Sequence, residues 1–261
     1  MNIFLIKAFS FLKNLLPRAV ITRLDPENYA IGNFINEISK EIEEKERVLD
    51  AGAGSQPFKG LFDHCDYEST DIKQVYDKQN EPVHNFTCSL DKIPVDDSSY
   101  DAIISTQVLE HVENPGKVIE EFYRVLVPGG SLYLTVPQGW GVHEAPHHYF
   151  NFTEFGLKKL FLDANFKIEY IKARGGIFWD LSKRLSNLPH YILYQHMKFD
   201  EKGYAPYFMQ KVKFLILVFI FILTVPFFYF LIPLLFFFLD KLDYKKDFTL
   251  GYACKCVKTT N

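Results

Sequence analysis

The chain has 261 residues, a formal net charge of −3 and 48% hydrophobic residues. This length and apolar content suffice for one large α/β domain or two small domains with a packed core, and they argue against intrinsic disorder. Basic and acidic residues are interspersed, so the chain lacks the positive field that nucleic-acid binding requires, and no nucleic-acid partner is expected. The four cysteines form no repeated CxxC motif and have no histidine at ligand spacing, which favours a reducing compartment without zinc or disulfides.

Residues 1–24 form a basic amphipathic segment. Apolar residues recur there at helical spacing, with Lys7 and Lys13 between them, so the pattern predicts a helix. The same two lysines interrupt the apolar run that a secretory signal needs, and export is not expected. Two interpretations stay open: the helix packs on the domain, or residues 1–20 lie in an anionic membrane surface.

The chain then alternates between strand and helix patterns, which is typical of βαβ units. A helix with one charged face is predicted over residues 29–45, and Thr153 is the predicted N-cap of a later helix. The predicted strands are "RVLDAG", "DYEST", "VHNFTCSL", "YDAIIST", "GSLYLTVP", "FKIEYIKA" and "FTLGYACKCV", and the later helices are "PGKVIEEFYRVLV", "TEFGLKKLFLDAN" and "PHYILYQHMKF".

The segment "VLDAGAGSQPF" carries the strongest functional signal. Gly52 and Gly54 allow a tight turn and a close approach of the backbone to a ligand, and Asp50 directly precedes them. A dinucleotide motif would need its third glycine at Pro57, which argues against NAD and FAD. Asp71 follows at the end of the second predicted strand, where a carboxylate can accept both hydroxyls of a ribose. A ribose-containing ligand without a pyrophosphate is therefore predicted.

These residues resemble the class I S-adenosylmethionine-dependent methyltransferases, in particular the type 11-like group. The similarity covers residues 47–176 and the last strand, and it includes "LDAGAGSQPF", "YESTD" and the long block "LDKIPVDDSSYDAIISTQVLEHVENPGKVIEEFYRVLVPGGSLYLTVP". The resemblance implies an α/β fold with a Rossmann-like seven-stranded sheet, helices on both faces and a seventh strand antiparallel between the fifth and sixth. It also implies S-adenosyl-L-methionine as cofactor.

By position, the resemblance assigns cofactor-binding roles to residues that follow the strands. Gly52 and Gly54 would contact the methionine part, Asp71 the ribose, and Gln107 the methionine end of the pocket, with Asp50 supporting the turn. The adenine side falls on Ser89 and Leu90, where the family usually has an acidic residue. This departure leaves open whether Ser89 or Asp91 faces adenine.

After the fifth strand, the segment "PQGWGVHEAPHHYFNF" concentrates histidines and aromatic residues in a loop that should overhang the cofactor. His143, His147 or His148 could accept a proton from a hydroxyl acceptor near neutral pH. The alternative is that these residues only close the loop and cap the next helix. A metal interpretation of the three histidines is weaker, since no other ligand cluster is evident, and no metal site is predicted. His111 is predicted to be a helix-packing residue. The segment "HEAPHHYFNFTEFGLKKLF" resembles methyltransferases encoded with bacterial surface-polysaccharide genes.

An apolar stretch without charges covers residues 214–239. Three interpretations compete: a buried core helix, which would have to be covered on every side, a single membrane span, for which the length suffices, and a membrane-embedded hairpin. Lysines flank both ends, and the seventh strand must rejoin the sheet, so both ends are expected on the cytoplasmic side. Pro226 then favours a turn near Thr224-Val225-Pro226 or a broken helix in one leaflet. Freed backbone groups would need partners from Thr224 or from a second copy in a homo-oligomer.

The sequence thus predicts three parts: a helix over residues 1–24, a methyltransferase domain over 25–176 and 247–261, and an insertion over 177–246. The expected protein is a monotopic or re-entrant methyltransferase on the cytoplasmic face of a membrane, with a single span as the alternative. Its expected acceptor is a hydroxyl of a lipid-linked saccharide or another amphiphile. A quinone-type lipid methyltransferase and an inactive, membrane-anchored cofactor-binding protein are the alternatives.

Overall fold

The computed structural model describes residues 17–72, 83–195 and 211–260. Within these residues seven strands form one mixed sheet with the order β3-β2-β1-β4-β5-β7-β6. The strands are β1 Arg47–Ala51, β2 Asp66–Asp71, β3 Phe86–Thr87, β4 Tyr100–Thr106, β5 Leu126–Pro137, β6 Phe166–Ala173 and β7 Gly251–Lys258.

The last strand completes the sheet between two earlier ones. β7 pairs antiparallel with β5 and with β6, and Cys254 lies opposite Leu134 on one side and Ile171 on the other. β1, β2, β3, β4 and β5 pair in parallel. This arrangement confirms the predicted Rossmann-like methyltransferase sheet, including the antiparallel seventh strand.

Helices precede, connect and interrupt these strands. Thr153 caps one of them as predicted, because its hydroxyl accepts a hydrogen bond from the Gly156 N–H at 3.1 Å. The helix predicted over residues 29–45 begins earlier and ends earlier, since turns replace it after Ile38. The α-helices are α1 Arg18–Leu24, α2 Pro26–Ile38, α3 Pro115–Val125, α4 Glu154–Asp163, α5 Ile177–Gln195, α6 Lys211–Val225 and α7 Ile232–Leu239.

Two apolar clusters cover the two faces of the sheet. Successive strand residues point to opposite faces, so Leu49 and Ile103 join the cluster that contains α3, whereas Val48 and Ile104 join the cluster that contains α2. The near-continuous apolar runs in these strands follow from this coverage of both faces.

The chain divides into two compact units. One contains residues 1–29 and 175–248, and the other contains residues 30–174 and 249–261 with the whole sheet. The predicted helix over residues 1–24 falls mostly on residues 1–16, which lie outside the described residues, and α1 is its described part. The end of the predicted helix "PHYILYQHMKF", beyond Gln195, also lies outside them. The division predicted from the sequence, at residues 24, 176 and 246, stays a prediction.

The apolar stretch forms one continuous helical run. α6 passes into a π-helical segment, Pro226–Leu231, then into α7 and a 3₁₀ turn, Asp240–Leu242. Val225 has φ −52° and ψ −51°, so the predicted chain reversal near Thr224-Val225-Pro226 is wrong. A proline removes one helical hydrogen bond and displaces the preceding turn, and here the π-helical segment accommodates it without reversing the chain. The Thr224 hydroxyl donates to the Phe221 carbonyl at 2.9 Å and so stays within the helix.

Candidate active site

A glycine turn follows β1 at the carboxyl edge of the sheet. Gly52 has φ +79° and Gly54 has φ +51°, in the left-handed region that favours glycine. A Cβ atom at Gly52 would lie 2.5 Å from Cγ2 of Val108, whereas a Cβ at Gly54 would meet nothing within 4 Å. Residue 52 must therefore be glycine for two independent reasons, and residue 54 for one.

Asp71 at the end of β2 holds this turn. Its Oδ2 accepts the Gly54 N–H at 2.7 Å, and its Oδ1 accepts the Ile72 N–H at 2.7 Å. Each carboxylate oxygen has a second lone pair. Asp71 can therefore fix the turn and still accept hydrogen bonds from the two hydroxyls of a ribose.

Asp50 lies beneath the turn and does not line the cavity described below. Its carboxylate is buried, and the Tyr67 hydroxyl donates to its Oδ2 at 2.6 Å. Burial raises the pKa of Asp50 from 3.8 to about 6, and the hydrogen bond from Tyr67 only partly offsets this rise. This position suits a residue that supports the turn from below.

A cavity of about 1190 Å³ opens beside the turn. It includes Gly52, Gly54, Asp71, Ser89, Leu90, Gln107 and His147 among the residues predicted to form the site, and Asp91 also lines it. The other predicted residues, Asp50, His143 and His148, do not line it. The lining that sequence reasoning did not assign includes Val108, His111, Glu113, Lys117, Glu144 and Tyr149.

Gln107 begins the connection after β4 in an uncommon conformation. Its φ is +55°, which a residue with a side chain rarely adopts. Two hydrogen bonds to Thr135 hold it: the Gln107 N–H donates to the Thr135 carbonyl at 2.9 Å, and Nε2 donates to the Thr135 hydroxyl at 3.1 Å. The neighbouring β5 therefore fixes the wall of the cavity at this point.

The three loop histidines have different surroundings. The Nδ1 of His147 lies 3.2 Å from the Tyr149 hydroxyl, which in turn donates to Glu113 at 3.3 Å. Both ring nitrogens of His148 are engaged, because Nδ1 accepts the His143 N–H at 3.3 Å and Nε2 lies 3.1 Å from the Phe150 carbonyl. Burial, together with the neighbouring His143, lowers the pKa of His148. Of the three, His147 alone both lines the cavity and has an oriented ring with one nitrogen left for a ligand.

The connection after β4 adds two residues that the sequence did not bring to the site. Glu110 is fully buried, and His111 lies in a short 3₁₀ turn, Leu109–His111, rather than in a regular helix. The His111 ring contacts the rings of His143 and His148, with centroids 4.8 Å and 5.7 Å apart. The predicted helix-packing role of His111 is therefore wrong. Its place directly after a parallel strand is the signal that could have found it.

The profile of a family described as "Methyltransferase domain" matches residues 24–171, more than half of the chain. The chain belongs to this methyltransferase family.

Known relatives of this methyltransferase match it over shorter segments. A tRNA (carboxymethyluridine(34)-5-O)-methyltransferase of Arabidopsis thaliana is 35% identical over 97 residues, which cover 34% of this chain and 23% of that protein. A protein of Mycolicibacterium smegmatis named "Probable S-adenosylmethionine-dependent methyltransferase" is 29% identical over 87 residues, which cover 31% of this chain and 34% of that protein. The chain thus spans about a quarter to a third of the length of these curated relatives.

A solved structure shows the same fold over most of the chain. The 1,6-didemethyltoxoflavin-N1-methyltransferase of Burkholderia thailandensis, with bound 1,6-didemethyltoxoflavin and S-adenosylhomocysteine, superposes with a TM-score of 0.51 at 15% identity. The match covers 90% of this chain and 80% of that chain. At this identity the likeness concerns the fold.

The cofactor of this methyltransferase is S-adenosylmethionine, and the residues present fit it. The turn at Gly52 leaves room that a single Cβ would take away, and Asp71 presents a carboxylate at the end of β2. When bound, the cofactor supplies a methyl group activated by a positively charged sulfur. The chain's own residues would hold the ribose, limit the depth of the pocket and position the acceptor, and such positioning can supply much of the rate enhancement.

Proposed function

We propose that this methyltransferase works at a membrane surface and methylates a hydroxyl oxygen of a lipid-linked saccharide or a similar amphiphile. The observation that carries the proposal is the apolar helical run between Phe219 and Leu242. This helix is long and apolar enough to cross a membrane, and only 11% of its apolar window is buried.

Many apolar side chains of this run are exposed. Phe219 is 62% exposed and Leu223 is 61% exposed, well above what a core helix shows. A contiguous apolar surface of this kind is typical of an interaction site, and burying each large side chain is worth roughly 1.5–3 kcal/mol. The exposed set comprises Ile216, Phe219, Ile220, Ile222, Leu223, Phe227, Leu231, Leu235, Phe238 and Leu242.

The packing of α5 favours a helix that lies in one leaflet over a helix that crosses the bilayer. The indole N–H of Trp179 donates to the Phe237 carbonyl at 3.3 Å, and the Ser186 hydroxyl donates to the Phe228 carbonyl at 2.9 Å. α5 therefore runs alongside the apolar helix. A crossing would carry α5 into hydrocarbon together with its ion pairs.

Two ion pairs involve residues of α5. Lys183 lies 3.3 Å from Glu27, and Arg184 lies 2.7 Å from Asp180. Charged groups at bilayer depth are costly, whereas a position at the headgroup level leaves them hydrated.

Basic residues mark the end of the apolar helix. Arg23 lies over the rings of Phe237 and Phe238, with Cζ 5.8 Å and 5.5 Å from the centroids, and Lys241, Lys245 and Lys246 follow in the sequence. Because Asp240, Asp243 and Asp247 offset these three lysines, Arg23 supplies the net positive charge at this end, which favours contact with anionic lipid headgroups.

His147 is the residue best placed to accept a proton from the acceptor. If its Nδ1–H donates to the Tyr149 hydroxyl, and that hydroxyl donates to Glu113, Nε2 is left with a free lone pair. A base oriented by two further groups suits a sugar hydroxyl, which does not ionise near neutral pH without help. A phenolic acceptor such as a quinone-type lipid would depend on it less.

The test combines membrane binding with methyl transfer. Wild type and Phe219→Glu/Leu223→Glu are sedimented with vesicles of phosphatidylcholine and phosphatidylglycerol, and Leu162→Glu is the control because Leu162 is also exposed but lies on α4. The double variant loses at least 100-fold in vesicle affinity by the burial energies above, and the control binds like wild type.

Methyl transfer is then followed with labelled S-adenosylmethionine and a membrane extract. Label in lipid-linked saccharide, lost in His147→Gln, supports the proposal. Label in quinone-type lipid instead identifies the alternative acceptor. Cofactor binding without any transfer to lipid, or equal sedimentation of all three proteins, contradicts the proposal.

A further inference from the structure

Glu110, His111 and His143 bring one carboxylate and two imidazoles together beside the cavity. One ligand atom from each lies within 4.8 Å of the others. Glu110 and His111 follow β4, while His143 comes from the loop after β5, so the fold and not the sequence spacing assembles the group.

Backbone carbonyls orient both imidazoles. The Nδ1 of His111 lies 2.7 Å from the His147 carbonyl, and the Nδ1 of His143 lies 3.0 Å from the Gly141 carbonyl. A carbonyl oxygen can only accept a hydrogen bond, so Nδ1 carries a hydrogen in each ring, and in the neutral ring Nε2 carries the lone pair. Metal-binding histidines usually show this arrangement, in which the nitrogen that does not bind the metal donates to a carbonyl.

The lone pair of His111 faces negative charge. Its Nε2 lies 3.9 Å from Oε1 of Glu110 and 3.9 Å from Oε2 of Glu144. A lone pair between two carboxylates is repelled by both, and a cation placed among the three groups reverses the sign of the interaction. His148 is not a member of this set, because hydrogen bonds engage both of its nitrogens.

We propose that Glu110, His111 and His143 bind a divalent transition-metal cation such as Zn²⁺, with a remaining position open to an oxygen of the acceptor. Two imidazoles and one carboxylate with an open position form a recurrent catalytic set for this class of cation, and hard cations such as Mg²⁺ prefer oxygen ligands alone. Ligand atoms about 2.0–2.2 Å from a metal lie closer together than 4.8 Å, so the loop that carries His143 moves inward by about an ångström on binding.

The cation gives the proposed O-methylation a Lewis acid, and this role rests on the proposed function. The acceptor hydroxyl binds through oxygen and its pKa falls. Its proton passes to Nε2 of His147. The oxygen lone pair then forms the bond to the methyl carbon while the carbon–sulfur bond breaks, and the bonding pair stays on sulfur as S-adenosylhomocysteine leaves.

Metal binding is measured directly on the full chain. The purified protein is stripped with a chelator and titrated with Zn²⁺, and the metal is counted by mass spectrometry. Wild type binds one Zn²⁺ per chain. His143→Asn and Glu110→Gln each lower the Zn²⁺ affinity by more than the 10–100-fold expected from losing a residue that only hydrogen-bonds a metal ligand. His64→Gln is the control, since His64 does not line the cavity and its Nε2 lies 3.2 Å from the Ile42 carbonyl. X-ray absorption on the zinc-loaded protein shows two imidazoles in wild type and one in His143→Asn.

Binding of S-adenosylmethionine is measured on the same samples, so that a misfolded variant is recognised and the two proposals fail separately. Zinc that binds equally to wild type, His143→Asn and Glu110→Gln, or no zinc at all in a protein that binds S-adenosylmethionine, overturns the metal site and leaves the proposed function intact. Zinc bound at this site without methyl transfer to lipid overturns the proposed acceptor alone.

Discussion

Replacement of Gly52 by alanine tests the turn that forms the cofactor pocket. The new Cβ would lie 2.5 Å and 2.6 Å from the two γ-carbons of Val108. Inserting a methyl group into filled space costs roughly 1–3 kcal/mol, and a left-handed conformation at a residue with a Cβ costs roughly 1–2 kcal/mol more. Gly54→Ala carries only the second cost, since nothing lies within 4 Å of its Cβ.

A double-mutant cycle of Gly52→Ala with Val108→Ala separates the cost of the clash from the cost of the left-handed backbone, because Val108→Ala removes both γ-carbons. We measure the free energy of unfolding by denaturant titration and the S-adenosylmethionine affinity by calorimetry. Gly52→Ala loses roughly 2–5 kcal/mol, Gly54→Ala roughly 1–2 kcal/mol, and the double variant regains roughly 1–3 kcal/mol relative to the sum of the single variants. Equal effects of the two glycine substitutions, or no recovery in the double variant, would refute the proposed close contact.

Two further predictions concern the aspartates of the site. The pKa of Asp50 is about 6 in the folded protein and 3.8 ordinarily, so the folded state binds this proton more tightly and loses stability as the pH rises between these values. Asp50→Asn, whose amide oxygen can still accept from Tyr67, is therefore more stable than wild type by roughly 3 kcal/mol at pH 7 and by only about 0.5 kcal/mol near pH 4, as denaturant titration at both pH values would measure. A stability gain that does not depend on pH contradicts this cause. Asp71→Asn leaves the N–H of Gly54 or of Ile72 facing an amide donor, so S-adenosylmethionine affinity falls at least 10-fold by calorimetry, and unchanged affinity would show that Asp71 does not organise the turn.

The sheet was predictable because the apolar pattern, the glycines that end the strands and the helix-capping residues all indicate the same elements. Apolar runs bounded by glycines marked β1 and β4, and "FTLGYACKCV" predicted a strand although about 70 residues separate it from β6. The side chain of Thr153 alone indicated where α4 begins. The bounds were less predictable, because tertiary packing decides where a covering helix stops: α2 ends at Ile38, although apolar spacing continues to Ile42.

The apolar helix and the histidine cluster show where local patterns fail. Pro226 favoured a turn or a broken helix, but a π-helical segment accommodates the missing N–H donor and the chain does not reverse there. His111 and His143 are 32 positions apart, and nothing in the spacing indicates that their rings meet. The edge of a parallel sheet brings such residues together, so the order of strands and not the local pattern decides the composition of the site.

The place of β7 also sets an order of events during synthesis. Among the described strands β5 and β6 do not pair with each other, so until residues 251–258 have been made β5 lacks one neighbour and β6, at the end of the sheet, has none. The ribosome makes the apolar helix before those residues. The strand that joins β5 to β6 is therefore synthesised after the apolar helix, and the sheet closes last, whatever surface the apolar helix meets.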